Sequence, residues 1–100
     1  MIVVRQTDRF RRWLDGLRDP GARERILARV RRLSLGNPGD IRSLRGGLSE
    51  LRTAHGPGYR IHLMQEGSEV VILLAGGDKR TQARDIAAAR ALVRQLRDAP

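Results

Sequence analysis

The chain has 100 residues, which is enough for one small domain with a single hydrophobic core. Hydrophobic residues make up 40% and charged residues 31%, a balance typical of folded domains and too apolar for disorder. Cysteine is absent, which excludes disulfides and thiolate chemistry, and 20 basic against 11 acidic residues give a net charge of +9 that favours a polyanionic partner.

The first part of the sequence predicts a short strand followed by two amphipathic helices. The strand is "IVVRQ", and Thr7 follows it as the expected N-cap of the first helix. Asp19 is the expected cap of the second helix, with Pro20 in its first turn and Gly36 at its end. We interpret the arginines on the outer faces of this helix as a solvated surface. The predicted inner faces comprise Phe10, Trp13, Leu14 and Leu17 in the first helix, and Ala22, Ile26, Leu27, Val30 and Leu33 in the second.

From Ile41 onward the pattern predicts four strands and a final helix. The strands are "IRSLR", "SELRTA", "YRIHLM" and "EVVILLA", and the last of them is apolar enough to be buried on both faces. Asp78 is the expected N-cap of the final helix. The inner face of that helix would comprise Ile86, Ala89, Val93 and Leu96. The order β-α-α-β-β-β-β-α over residues 1–100 predicts an α+β fold, with two N-terminal helices and one C-terminal helix on a small, twisted, antiparallel-rich sheet.

The hairpin around "GPG" is predicted to gather basic side chains. Its two faces would comprise Leu51, Thr53, Ile61 and Leu63 on the core side, and Glu50, Arg52, Arg60, His62 and Met64 on the other. These sets share faces if Ala54 lies opposite Arg60, so that the connection has an odd number of residues, as in a three-residue Gly-Pro-Gly loop. This register puts Arg52 opposite His62. Because like charges this close are destabilising, the pattern favours a bound anion.

The residue types favour phosphate chemistry that needs no metal. The acidic residues are scattered and two histidines make a weak zinc site, so we expect no metal and no other cofactor. RNA can instead be cleaved by its own 2′-hydroxyl, given a base, cations on the phosphate and an acid for the leaving oxygen. Arginine binds phosphate but keeps its proton, whereas Lys79, the only lysine, can exchange one. Lys79 also starts a helix, where a phosphate is favoured.

Several of the candidate residues could instead have purely structural roles. Lys79 could be a chance surface residue, and Arg52 could simply pair with Glu50 or Glu69. His55 and His62 lie in a loop and a strand, where histidines are commonly structural. With aromatic residues at 3%, a sheet that stacks RNA bases on several rings is excluded, and turn packing explains Tyr59 as well as base contact does.

Taken in order, "ELRTAHGPGYRIHLM" and "VVILLAGGDKRTQARDIAAA" resemble the RelE/ParE superfamily of toxin–antitoxin toxins, and within it the HigB-like addiction-module killer proteins. "FRRWLDGLRDPGARERILARVRRLSLGNPGD" also fits the opening helices of that group. The resemblance implies a RelE-like fold and metal-free, ribosome-dependent cleavage of mRNA. It also implies neutralisation by a cognate antitoxin, a helix-turn-helix protein of the HigA-like kind, with operator DNA contacted only through the toxin–antitoxin complex.

The same resemblance implies a set of site residues. Arg60 of "GYR" would stabilise the cleaved phosphate, with Arg52 and Lys79 as its catalytic companions. Arg80 and Gln82 belong to the same motif and would bind substrate. Apart from the resemblance, we also expect His62, Tyr59 and Arg45 to bind substrate. The tail "RALVRQLRDAP" lacks the tyrosine or histidine that many RelE-like enzymes carry there, so Lys79, His55 or His62 would move the proton, or the nuclease would be weak.

Two alternatives to the nuclease remain open at this stage. The ParE branch shares the fold and inhibits DNA gyrase by binding, without cleaving RNA. A basic nucleic-acid-binding protein without catalysis is a third interpretation, although no groove-reading motif is present. The sequence shows neither a secretory signal nor an apolar run of membrane-spanning length, so we expect a cytoplasmic protein with no membrane partner.

Overall fold

The computed structural model describes residues 1–54 and 56–98. Within them the chain forms a five-stranded sheet and three α-helices, which confirms the predicted α+β order. The elements are β1 (Val3–Gln6), α1 (Asp8–Asp15), α2 (Pro20–Ser34), β2 (Ile41–Ser43), β3 (Leu48–Arg52), β4 (Arg60–Glu66), β5 (Val70–Gly77) and α3 (Gln82–Asp98), with a 3₁₀ turn (Lys79–Thr81) leading into α3. No helix of the described ranges is long and apolar enough to cross a membrane.

Local capping explains where the first two helices begin and end. The Thr7 hydroxyl accepts the Phe10 N–H at 3.1 Å and donates to the Leu74 carbonyl at 2.7 Å, so it caps α1 and ties it to the sheet. The Asp19 carboxylate accepts two N–H groups from the first turn of α2, as predicted. Gly36, at φ +85°, follows the last turn and allows the chain to leave the helix.

The strands lie in the order β1-β5-β4-β3-β2, with β1 parallel to β5 and the other pairs antiparallel. The side chains of β5 are buried from Val71 to Gly77, which confirms that helices cover this strand on both faces. The cluster beneath α1 and α2 comprises Phe10, Leu14, Ile26, Leu33, Leu51, Ile61, Leu63, Val71 and Leu73. The cluster beneath α3 comprises Leu48, Met64, Ile72, Leu74, Ala75, Ala89 and Val93.

Two of the predicted inward-facing leucines are exposed instead. Leu27 is 45% exposed because the buried side of α2 is narrower than the predicted stripe and runs through Ala22, Ile26 and Leu33. Leu96 is 42% exposed because the side chains of α3 are all exposed after Val93. Both predictions were wrong because helical periodicity fixes a direction but not how far the covering sheet extends.

Candidate functional site

The β3–β4 hairpin brings Arg52 and Arg60 directly opposite each other. The predicted pairing of Arg52 with His62 was wrong by two residues. The strands stay paired as far as the Thr53 N–H, which donates to the Tyr59 carbonyl at 3.0 Å, so the connection comprises five residues, 54–58, and not three. The predicted faces and the odd-numbered connection are nevertheless correct. Gly77 lies beside Arg60 on β5, and we call this end of the sheet, defined by Arg52, Arg60 and Gly77, the basic end.

A buried carboxylate lies among the basic residues on the α3 side of the sheet. Glu50 is 1% exposed, and its Oε1 lies 3.6 Å from Nε of Arg60, which is itself 7% exposed. Its Oε2 lies 3.7 Å from Nε2 of His62. The protein therefore supplies from its own chain one anion of the kind that the clustered cations favour.

His62 is completely buried and has no surface with which to contact a substrate in this conformation. Neither ring nitrogen has a hydrogen-bond partner among the described residues. Burial lowers the pKa of His62 below its ordinary value, while Glu50 and Asp85 oppose that shift and Arg60 adds to it. The imidazole is therefore neutral at physiological pH, and it fills space beside Glu50.

The 3₁₀ turn and the first residue of α3 hold the buried acids in place. Gln82 donates from Nε2 to both carboxylate oxygens of Glu50, at 3.3 and 3.1 Å. The Thr81 hydroxyl donates to Oδ2 of Asp85, a second buried carboxylate that is 3% exposed. Gln82, expected to bind substrate, thus makes contacts that orient Glu50, which in turn lies against Arg60.

Lys79 is exposed and lies at the basic end next to the hairpin turn. Its backbone N–H donates a hydrogen bond to the Pro57 carbonyl, with 3.4 Å between nitrogen and oxygen. Gly58, at φ +78°, leaves a gap there: a Cβ on this glycine would stand 3.7 Å from Cβ of Lys79 and 4.0 Å from Nη2 of Arg60. The gap over Gly58 is therefore flanked by one lysine and one arginine.

The structure does not support the expected binding of a phosphate at the start of the last helix. Asp78 is the N-cap as predicted, and its Oδ1 accepts the N–H groups of Arg80 at 2.8 Å and Thr81 at 3.3 Å. Its other oxygen accepts from the Arg80 guanidinium at 3.2 Å, and these contacts lower the pKa of Asp78. An internal carboxylate thus already occupies the position that an external phosphate would take.

The glycine pair before Lys79 has a steric role that the sequence did not reveal. Gly76 and Gly77 both lie within β5, and neither has a positive φ. A Cβ on Gly76 would overlap the Trp13 ring on the α1 side, and a Cβ on Gly77 would overlap the Asp85 carboxylate on the α3 side. The two glycines therefore let one helix approach each face of the strand.

Two predicted site residues lie away from this group. Tyr59 packs its ring edge-on against Trp13, with centroids 6.2 Å apart, on the face covered by α1. Arg45 begins the β2–β3 turn at φ +71°, and β3 separates it from Arg52 by about 14 Å at 3.4 Å per residue. His55 lies outside the described residues.

Sequence reasoning missed the two buried acids, Glu50 and Asp85. Glu50 was placed on the correct face, but its contact with Gln82 depends on how α3 crosses the sheet. Asp85 follows Thr81 by four residues, a helical spacing that could have suggested their pairing. No three potential metal ligands cluster within residues 1–54 and 56–98. The available groups can bind phosphate through Arg52, Arg60 and Lys79 and can exchange a proton through the lysine.

Comparison with known proteins assigns the chain to a family. A family model described as "Phage derived protein Gp49-like (DUF891)" matches residues 12–95. A protein of Haemophilus influenzae named only "Uncharacterized protein" is 44% identical over 95 residues, covering 95% of this chain and 96% of that protein. The matched region contains strands β2 to β5 and every residue of the basic end. The chain therefore belongs to the phage-derived Gp49-like family, a family of RelE-like addiction-module toxins.

Proposed function

We propose that the protein is the HigB-like toxin of a type II toxin–antitoxin module and cleaves translated mRNA on the ribosome. Membership of the Gp49-like family supports the toxin assignment. The observation that supports the nuclease assignment is that Arg60 and Lys79 flank the gap over Gly58, with Arg52 directly opposite Arg60 on the neighbouring strand. The two arginines supply fixed positive charge for a phosphate, and the lysine supplies a group that can gain or lose a proton.

Arg60 is suited to stabilising the phosphate because the buried side of its guanidinium lies against Glu50. Its inner nitrogen, Nε, is buried and faces Glu50, while Nη2 lies at the gap over Gly58. A guanidinium fixed in this way loses little conformational entropy when a phosphate binds, and its charge already points to where negative charge grows in the transition state.

The reaction would use the 2′-hydroxyl of the RNA as the nucleophile. The 2′-oxygen bonds to the adjacent phosphorus while the bond from phosphorus to the 5′-oxygen breaks, which leaves a cyclic phosphate and a free 5′-hydroxyl. One proton leaves the attacking hydroxyl and one joins the leaving oxygen. Among the described residues, Lys79 is the exposed group at the basic end that can take part in such transfers, because arginine keeps its proton and His62 is buried.

The proposal includes a specific set of partners. A cognate antitoxin of the helix-turn-helix kind would neutralise the toxin in the cytoplasm, and operator DNA would be bound through that complex. The ribosome would present the mRNA, which places the net charge of +9 beside a large polyanion.

Induced expression followed by mapping of RNA 5′ ends tests the nuclease directly. Wild type should arrest growth and produce cuts within translated mRNA, whereas Lys79→Ala and Arg60→Ala should lose the cuts. The matched control is Arg9→Ala, an exposed arginine on α1 beneath the opposite face of the sheet. Because Arg60→Ala leaves Glu50 buried and unpaired, a Glu50→Gln/Arg60→Gln variant, which removes both charges, should stay folded and inactive.

The outcomes separate the candidate activities. Cuts that persist in folded Lys79→Ala and Arg60→Ala variants would contradict the proposed site. Growth arrest with intact mRNA and lost DNA supercoiling would instead identify a gyrase inhibitor of the ParE kind. Loss of cuts in the Arg9→Ala control would show that overall charge, rather than the basic end, governs activity.

A further inference from the structure

A groove of about 270 Å³ lies between α2 and the end of β3 and is rich in arginine. We call it the α2 groove, and its lining comprises Arg25, Ala28, Arg29, Arg32, Thr53 and Ala54. The arginines are four and three residues apart on α2, so they lie along one side of the helix. The sequence alone suggested a solvated surface here, but the strand end closes one side of this surface and makes it concave.

Arg29 is fixed at the middle of the groove. Its guanidinium donates to the carbonyls of Arg52 at 2.7 Å, Pro38 at 3.0 Å and Asp40 at 3.3 Å, and its Nε is buried without a partner among the described residues. Gly39 allows this position, because its missing Cβ would lie 3.2 Å from Nη2 of Arg29. The groove therefore contains an immobilised cation whose acceptors in the described part of the chain are neutral carbonyls.

Arg25 and Arg32 flank this fixed cation and are exposed. Neither forms an ion pair with an acidic side chain of the described ranges. By contrast, Arg23 on the same helix pairs with Asp15 at 3.1 Å. The positive charge of the α2 groove is thus available to an external anion, whereas the charge of Arg23 is partly neutralised.

The α2 groove adjoins the candidate site at the end of β3, although α2 covers the face of the sheet opposite to the Arg52 and Arg60 side chains. Arg29 donates to the backbone of Arg52, and Arg52 lies opposite Arg60 at the basic end. Thr53 and Ala54 lead from β3 into the turn that carries Gly58. A strand of phosphates that passes from the gap over Gly58 around the hairpin turn to the other face of the sheet would meet a second set of cations at the α2 groove.

We propose that the α2 groove binds the phosphodiester backbone of RNA next to the bond that is cleaved. This inference rests on the proposed nuclease function and extends it to the flanking RNA. Arginine forks match phosphate oxygens, and the exposed forks of Arg25 and Arg32, with the fixed charge of Arg29 between them, can follow a backbone without reading sequence. RNA fits better than an acidic protein segment, because the groove is lined by no large apolar side chain, whereas protein interfaces depend on large apolar or aromatic anchors.

The α3 helix provides a matched control with the same arginine spacing. Arg90, Arg94 and Arg97 line a separate cavity of about 250 Å³ beside Gly46 and Leu48, at the opposite end of β3 from Arg52, and Asp98 adds one acidic side chain to its lining. We call this cavity the α3 groove. Neutralising Arg94 and Arg97 removes the same charge as neutralising Arg25 and Arg32, but away from the candidate site.

The test measures binding separately from cleavage. A fluorescent single-stranded RNA carrying 2′-O-methyl groups cannot be cut, and its affinity for wild type, Arg25→Gln/Arg32→Gln and Arg94→Gln/Arg97→Gln is measured over a range of salt. Each lost phosphate contact on a single strand lowers the salt slope by about 0.7, which is about 5-fold in affinity near 0.1 M salt. We expect roughly a 25-fold loss for the α2 pair and a much smaller loss for the α3 pair.

A parallel measurement with intact ribosomes identifies the source of the RNA. Loss with the α2 pair on the free strand supports the proposal, whereas loss only on ribosomes would overturn it and indicate contact with ribosomal RNA instead. Equal losses for both arginine pairs, or no loss for the α2 pair with either probe, would overturn the proposal. So would an α2-dependent affinity for polyglutamate that exceeds the affinity for RNA. If the wild-type protein binds RNA through the α2 groove but never cleaves it, the nuclease proposal is refuted while the RNA-binding proposal for the groove still holds.

Discussion

Replacing Glu50 by alanine should destabilise the protein far more than removing an exposed charge. The carboxylate is 1% exposed and its partner Arg60 7%, and Oε1 and Nε are 3.6 Å apart. At an effective dielectric constant of about 20, this separation corresponds to roughly 4–5 kcal/mol of attraction. Removing one member of such a pair leaves the other charge buried, which typically costs about 3–5 kcal/mol. Glu50→Ala also leaves Nε2 of Gln82 without its acceptor.

Chemical denaturation monitored by Trp13 fluorescence is the assay. Trp13 is the single tryptophan, and it packs against Tyr59 on the sheet, so its emission reports on the native packing. Glu50→Gln should lie between wild type and Glu50→Ala, because the amide keeps its shape and some hydrogen bonding but leaves Arg60 unpaired. Glu50→Gln/Arg60→Gln should recover much of the loss, since no buried ion remains.

An exposed ion pair serves as the control for this experiment. Asp8 and Arg11 are 3.1 Å apart, but their side chains are 83% and 61% exposed, so Asp8→Ala should change the free energy of unfolding by about 0.5 kcal/mol or less. A Glu50→Ala variant within about 1 kcal/mol of wild type would refute the reasoning. The same holds for a double variant that is no more stable than Glu50→Gln, because the two charges would then not be coupled.

Three further predictions test the packing around the candidate site. Because burial lowers the pKa of His62, the unfolded chain takes up its proton first as the pH falls below 6.5; the free energy of unfolding should therefore decrease there, and His62→Gln should flatten that slope in denaturation curves. Gly77→Ala should cost about 1–3 kcal/mol because its methyl overlaps Asp85, and a cost no larger than that of Gly67→Ala, which has a positive φ but open space, would contradict this. Thr81→Val should cost about 1–3 kcal/mol in the same assay by removing the hydroxyl that Asp85 accepts, and an unchanged stability would exclude that bond.

The fold was largely predictable because its signals are local. Thr7, Asp19 and Asp78 cap the elements that follow them, as their side chains and positions indicated. The alternation along β3 and β4 also assigned the correct face to each residue. The hairpin register was not predictable in the same way, because a shift by two residues keeps every side chain on its face and only the turn decides between the two pairings.

The candidate site was predictable in part. Arg52, Arg60 and Lys79 were expected together, and the pairing of β3, β4 and β5 explains why they meet at the basic end. The role of Gln82 could not be foreseen, because its bond to Glu50 joins residues 32 positions apart and depends on the packing of α3. Burial of polar groups thus arises from contacts between elements, which periodicity along one element does not report.

The arginines show the same distinction on a larger scale. Arg25, Arg29 and Arg32 on α2 have the same spacing as Arg90, Arg94 and Arg97 on α3, and both sets line a groove against the sheet. From the sequence the two sets are equivalent, and either could be an ordinary solvated face. They differ in what lies across the groove: the end of β3 that carries Arg52 for one set, and the turn at Gly46 for the other. Because only the α2 set lies at the end of β3 that carries Arg52, the same pattern has different consequences for binding, and the fold decides which set is near the basic end.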